Sequence, residues 1–325
     1  MRDAPLRFTL LAGVMALLST GADPSVAEAK SRPIMDTHIH LYQVTRPGGV
    51  PWPEAKNKIL YKDMTPEDYK AQAKKVGIVG TGIVEASPIH EDNLKILAMT
   101  KKDKFFKFLV AQEEIGSADF AKNLEELSKD KRVVGIRGYL WSPGKITLNE
   151  KESASLADLS KRGMTLDLIS RGDKNPKAGV IELATKFPDL RIIIDHMGGA
   201  KGEKPDPKWV EDMKKLAEHK NIYIKFSAFF DMYNPKASED EPWQAPLEAS
   251  AYKTHLDVLI SAFGEDRLIW GSNWPVIDLG GGVGTGLANE VKVAEELLKP
   301  LGTKVRDKIM FQNAQKFYKR VPTKS

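Results

Sequence analysis

Two hydrophobic rhythms alternate along this chain. Short β-branched or apolar runs recur at Ile34–His40, Ile78–Glu85, Phe106–Ala111 and Val133–Tyr139, then at Met164–Ile169, Arg191–His196, Ile222–Ser227 and Arg267–Gly271. Runs of that length and composition read as buried strands. Between them lie charge-rich segments with helical spacing of apolar positions, including Pro66–Lys75, Asn93–Lys101, Asp119–Lys129, Trp209–Lys220 and Tyr252–Phe263. Thr65-Pro66-Glu67-Asp68 carries the signals of a helix start: a capping hydroxyl, proline at the first helical position, then acids in the first turn. Eight strands alternating with helices predict a parallel sheet covered by helices. The count of eight and the uniform composition favour a closed α/β fold, a single (β/α)8 TIM barrel. An open doubly wound sheet would place a glycine-rich phosphate turn after the first strand, and here that strand ends in histidines.

The first 29 residues break the rhythm. Arg2 and Arg7 precede an apolar stretch from Phe8 to Leu18, and Ala27-Glu28-Ala29 offers small residues where a signal peptidase reads. This layout predicts a signal peptide over residues 1–29, a mature domain over 30–325, and an exported protein, periplasmic or secreted. The apolar run is too short for a membrane span. There is no cysteine, so neither disulfides nor thiolate metal ligands are available. The 325 residues carry a formal charge of +5, spread without long runs of one sign. That excludes a nucleic-acid surface and is compatible with an anionic small-molecule substrate. Composition is silent on assembly, and a homo-oligomer is compatible with it.

The chemistry concentrates at predicted strand ends. His38 and His40 stand two apart on strand one, so their side chains share one side, and the C-terminal end of a barrel strand opens on the mouth where such enzymes work. Two imidazoles there can hold one divalent metal or polarise a substrate carbonyl directly. Glu85 closes strand two and His196 closes strand six. Asp195, one residue earlier, is expected outside the barrel if that strand is regular. Arg137 and Lys225 are charges within apolar runs, which is costly unless they are paired or face a cavity. Arg137 is expected to clamp a carboxylate and Lys225 to polarise a carbonyl; a buried ion pair with Asp167 or Glu85 is the alternative. Tyr139, Asp167 and Ser227 are candidates on position alone, and Trp52, Trp141 and Trp274 fit pocket walls. The long connections Tyr42–Met64 and Phe229–Ala249 are lid or substrate-wall candidates. Gly280–Gly286 fits neither nucleotide-loop spacing and is expected to be a flexible loop. His90, His219 and His255 are expected at the surface or in local hydrogen bonds.

Asp36-Thr37-His38-Ile39-His40 resembles the first-strand motif of the amidohydrolase superfamily. Gly135-Ile136-Arg137, Ile194-Asp195-His196-Met197-Gly198-Gly199, Leu268-Ile269-Trp270-Gly271-Ser272-Asn273-Trp274-Pro275-Val276 and Gln312-Asn313-Ala314 ahead of Tyr318 agree in order. The combination is similar to the amidohydrolase-related branch that contains L-fuconolactonase, dicarboxylate lactone hydrolases and a semialdehyde decarboxylase, and it spans nearly the whole mature chain. The resemblance implies a hydrolase acting on a lactone or other carboxylic ester of a sugar acid or dicarboxylate. Taken with the strand-end positions above, it points to catalytic roles for His38, His40, Glu85, His196 and Lys225 and for position 273, and to substrate contacts from Arg137, Tyr139, Trp52 and Trp274; the Glu85 role rests on position, since lactonase relatives often carry Gln there. A divalent metal, Zn²⁺ or Mn²⁺, is expected on His38 and His40 with either Glu85 or His196 as third ligand, and a metal-free site is the other outcome found among relatives. The family carries Asp between the Ser and Trp of the strand-eight motif as general base. Here Asn273 stands there, and an amide cannot accept a proton at neutral pH. Glu85 or His196 then has to take the proton. Otherwise the reaction is a decarboxylation or other lyase step, or the chain is a catalytically silent periplasmic binding protein.

Overall fold

A computed structural model describes Met1 and residues 32–138, 148–169, 177–236, 239 and 241–321. The leader assigned to residues 1–29 and the candidates Tyr139 and Trp141 lie outside the described residues. The unit Arg32–Ser325 carries one eight-stranded sheet. Its strands are β1 (Ile34–Ile39), β2 (Ile78–Val84), β3 (Phe106–Gln112), β4 (Val133–Gly138), β5 (Thr165–Leu168), β6 (Arg191–Ile194), β7 (Ile222–Ser227) and β8 (Leu268–Gly271). All are parallel and paired in sequence order. Beyond the ladder, His40 N donates to Trp274 O at 2.8 Å and Asn273 N to His38 O at 2.8 Å, which joins β8 to β1 and closes the TIM barrel.

A helix follows each strand: α1 (Pro66–Ala73), α2 (His90–Met99), α3 (Phe120–Ser128), α4 (Glu150–Lys161), α5 (Lys177–Lys186), α6 (Pro207–Ala217), α7 (Lys253–Phe263) and α8 (Gly286–Leu298). The expected start of α1 is a full capping box: Asp68 N donates to the Thr65 hydroxyl, and Thr65 N donates back to the Asp68 carboxylate at 3.0 Å. The expected Asn93 start of the next helix falls one turn late, because the chain already turns helical at His90.

Alternation along the strands divides the core in two. Ile192 and Ile194 face the helix layer, while Ile193 joins Met35, Val84, Val110 and Ile269 in the barrel lumen. The lumen floor is sealed from the C-terminal segment by Phe317 and by Tyr318, whose ring stacks on Phe108 at 4.2 Å. Strand β1 departs from regularity. Asp36 pairs with Thr81 but Ile39 with Ile83, so three steps on β1 match two on β2. This bulge reverses the phase. Met35 points into the lumen before it and His38 after it, while Asp36 points out to Tyr69 of α1.

Among the described residues no helix is long and apolar enough to cross a membrane. Gly280–Gly286 is not the loose loop its composition suggests. It folds back on Asp278, which accepts from Gly284 N at 3.0 Å, and a Cβ on Gly281 would lie 2.2 Å from the Phe230 ring. Gly280, Gly281 and Gly286 serve close packing, while Gly282 and Gly284 take the positive φ of the exposed turn between them.

Candidate active site

The bulge brings His38 onto a buried ionic cluster above the apolar floor. Lys225 of β7 donates to Asp167 Oδ2 of β5 at 2.9 Å and to His38 Nδ1 at 3.1 Å, and its Nζ lies 3.0 Å from Asp195 Oδ1. Arg137 of β4 lies 3.8 Å from the other Asp195 oxygen, and Tyr318 donates from the floor to Asp167 Oδ2 at 2.7 Å. Lys225, Asp167, Asp195 and His38 are all fully buried. Two cations face two acids, which is what makes burying four charges tolerable. Asp195 is therefore inside the barrel, contrary to the expectation that it packs outside. The Asp167 half of the predicted ion-pair alternative for Lys225 is present; Glu85 is not a partner in it.

Burial is the largest single influence on each group here, although at Asp195 and Lys225 the neighbouring charges together outweigh it. It would push Asp195 up, but Lys225 and then His38 outweigh it and hold that carboxyl well below its usual range. Burial wins at Asp167, which is raised against the pull of Lys225. Burial alone would lower Lys225, and the two aspartates overcome it and raise the ammonium. Burial first and Lys225 second hold His38 well below its ordinary value, so its ring is neutral. An ammonium only donates, so Nδ1 is the acceptor and the ring proton sits on Nε2. That Nε2 is buried without a hydrogen-bond partner. His38 thus presents one unused N–H, backed by a cation.

Around it stand the rim groups. The His40 ring lies 5.0 Å from that of His38, and its Nδ1 is 2.7 Å from Val84 O. Burial, then Arg137, lowers His40 to about 3. His196 lies 4.6 Å from His38, ring to ring, with Nδ1 3.1 Å from Ser227 Oγ. Trp52 meets His40 edge-on at 5.3 Å and donates to Glu239 at 2.8 Å. Glu85 lines the adjoining groove with Tyr42, Arg46 and Trp52. Its Oε1 accepts from Ala86 N and Ser87 N, both at 2.8 Å, and burial raises it to about 7. Among the described residues, the non-glycine positions with left-handed backbone are His196, Met197, Ala228 and Asn273, with φ from 52 to 71°. All four stand just past β6, β7 or β8, where such strain of about 1–3 kcal/mol per residue marks a working site. Asparagine tolerates that backbone better than most residues.

Three placements correct the sequence reading. Trp274 is 1 % exposed and packs behind the barrel, 5.3 Å from Tyr69 of α1, so it is core and not a substrate wall. Among the described residues neither expected trio, His38 and His40 with Glu85 or with His196, comes together as a metal-ligating group. The nitrogen and oxygen donors that come within 4.8 Å of one another belong to His38, Asp195 and His196, while Glu85 is turned into its own loop. His255, expected at the surface or in local hydrogen bonds, is wholly buried beside Trp209. Sequence reasoning also passed over Asp231, on the 3₁₀ turn Phe229–Tyr233 after β7, whose Oδ2 accepts from Asn273 Nδ2 at 3.3 Å. Nothing near it in sequence marks it; only the return of β8 beside that turn does.

The sequence pattern of the amidohydrolase family matches residues 35–320, nearly the whole barrel. The chain belongs to the amidohydrolase family. Within that family it is similar to an L-fucono-1,5-lactonase of Burkholderia ambifaria, 27 % identical over 88 % of this chain and 95 % of the relative. A D-galactarolactone isomerase of Agrobacterium fabrum is 24 % identical, over 81 % and 82 %. In fold it resembles the crystal structure of a zinc-bound amidohydrolase from Burkholderia multivorans, with a TM-score of 0.74 at 18 % identity over 88 % of this chain and 98 % of that one. This amidohydrolase is accordingly an enzyme. By type and spacing, His38, Asp195 and His196 fit a divalent ion, and bound there it would polarise a carbonyl or acidify a water. Lys225 competes for that place, because it occupies Asp195 and fixes the His38 proton on the nitrogen left to ligate.

Proposed function

We propose that this amidohydrolase hydrolyses a lactone of a sugar acid or dicarboxylate. The observation that carries the reading is the unpartnered His38 Nε2–H with Lys225 on its far side. Hydrolysis of a lactone builds negative charge on the carbonyl oxygen as water adds to its carbon. An N–H held in place beforehand, on a ring polarised by a buried ammonium, meets that charge without reorganising. Arg137, whose Nε has no hydrogen-bond partner, supplies a fork for a substrate carboxylate. His40 and Trp52 form the wall on the groove side, and the names borne by the relatives point to the same substrate class.

The test is a panel of aldonolactones and dicarboxylate lactones with acid release followed by pH-stat. Turnover that disappears in His38→Ala supports the reading; a wild-type protein inert on the whole panel refutes it. Export is part of the proposal, resting on the leader-like residues 1–29. It predicts a periplasmic or secreted protein whose mature N-terminus, read by mass spectrometry, follows Ala29.

A further inference from the structure

Hydrolysis of a lactone requires a group that removes a proton from water, and the mouth offers few. His38 already carries its proton on the nitrogen that faces the site. His40 binds a proton only near pH 3. Asp195 and Asp167 are committed to Lys225, and one Glu85 oxygen is taken by two backbone N–H groups. Asp231 is different. Its Oδ2 is held by the Asn273 amide, while its Oδ1 is buried with no hydrogen-bond partner. Its turn is anchored from the β6 side, where Lys201 Nζ donates to Asp231 O at 3.1 Å. Its neighbour Glu239 accepts from Trp52, whose ring meets His40, so the carboxyl stands at the same end of the barrel as the histidines.

Resting on the lactone reading above, we propose that Asp231 is the proton acceptor of this enzyme, with Asn273 as the positioning residue that aims it. Water oxygen bonds to the carbonyl carbon and gives its proton to Asp231 Oδ1. The tetrahedral oxyanion then collapses, the ring C–O bond breaks, and Asp231 returns that proton to the leaving alkoxide. Lactone plus water gives hydroxy acid, and the carboxylate is regenerated. The groups that face Asp231 are Asn273 past β8, Glu239 in its own loop, Lys201 past β6 and Glu290 of α8. Burial, then Glu239, raises Asp231 to about 7, a basicity suited to accepting a proton at neutral pH.

The experiment compares wild type, Asp231→Asn, Asn273→Asp and the exchange Asp231→Asn/Asn273→Asp on a lactone that the wild type turns over. Asp231→Asn is expected to lower kcat by about 10²–10⁴-fold with little change in KM, and to abolish the acid limb near pH 7. Asn273→Asp sets two carboxylates in contact and is expected to move that limb upward by roughly one unit or more, with no gain in rate. The exchange leaves one carboxylate in the pair and is expected to recover at least about tenfold over Asp231→Asn. Thermal midpoints at pH 8 separate this from a structural role. A buried acid of raised affinity is penalised when ionised, so Asp231→Asn is expected to hold or raise the midpoint, whereas a structural acid would lower it. Wild-type kcat and acid limb in Asp231→Asn overturn the proposal, as does loss of the limb in His196→Gln with Asp231 intact. A wild type with no lactone turnover instead fails the lactone reading itself.

Discussion

Replacing Lys225 by Met is the most exacting test of the buried cluster. The substitution roughly preserves side-chain volume while removing the ammonium that lies 2.9 Å from Asp167 and 3.0 Å from Asp195, all three groups fully buried. Among the described residues, the cation left facing Asp195 is Arg137 at 3.8 Å, and Asp167 keeps the Tyr318 hydroxyl. Removing one partner of a buried pair typically costs about 3–5 kcal/mol, a large part of the ~5–15 kcal/mol that holds a domain together. At ~2–4 °C per kcal/mol the melting temperature should fall on the order of 6–20 °C near pH 8. The pH dependence fixes the cause. In the wild type Asp195 is depressed, so its contribution is present above the unfolded carboxyl pKa and is lost as pH falls. In the variant both aspartates are raised, so folding takes up a proton and the variant loses stability as pH rises through those raised values. The gap between the proteins should therefore be widest near pH 8 and narrow near pH 4. Lys225 itself is raised above its ordinary range and stays charged across that window. Urea and thermal unfolding followed by circular dichroism at both pH values measures the gap, and adding Asp167→Asn should recover much of it. A loss below ~1 kcal/mol, or one of equal size at both pH values, would refute the account of paired buried charge.

Other consequences follow from the same geometry. Zinc should bind more tightly to Lys225→Met than to wild type in calorimetric titration, because the substitution frees Asp195 and His38 from the ammonium; unchanged affinity would mean that the two do not compete. A Cβ on Gly271 would lie 2.9 Å from Thr37 Oγ1 and 3.0 Å from His38 Cβ, so Gly271→Ala should displace β1 and lower kcat with a loss of about 1–3 kcal/mol, read by kinetics and unfolding together. Trp52→Ala should raise KM more than it lowers kcat, since it removes a wall beside His40 and strands Glu239; a pure kcat effect would contradict that placement. Tyr318→Phe should cost about 1–3 kcal/mol by stripping a buried hydrogen bond from Asp167, a loss that denaturant titration resolves.

Much of this was legible in the sequence, for definite reasons. Parallel strands buried on both faces are apolar runs, and all eight stand out from the charged helices between them. The Thr65 cap is legible because its partners lie within one turn. What escaped depends on longer-range geometry. Asp195 was misplaced because the reading took His196 as the residue facing the mouth; in the structure regular alternation carries Ile193 and Asp195 inward, and a left-handed turn swings His196 round to join them. Trp274 reads as a wall because it stands within the strand-eight motif just past the strand end, but its ring turns outward onto α1. The glycines near 280 seemed loose because their reason, Phe230 and Trp243 pressed against them, lies about 40–50 residues earlier in the chain.

The bulge in β1 means that the inward aim of His38 and His40 is a matter of counting more than of residue identity. One extra residue between Asp36 and Ile39 sets the parity of everything beyond it. Were the bulge ironed out with every residue kept, regular alternation from Met35 would present Thr37 and Ile39 to the lumen, with the imidazoles driven among the helices. No graded series of substitutions connects the two arrangements. Point changes at positions 38 and 40 alter the chemistry of the site, whereas loss of the bulge beside them would erase it and leave Lys225, Asp167 and Asp195 facing a bore without imidazoles.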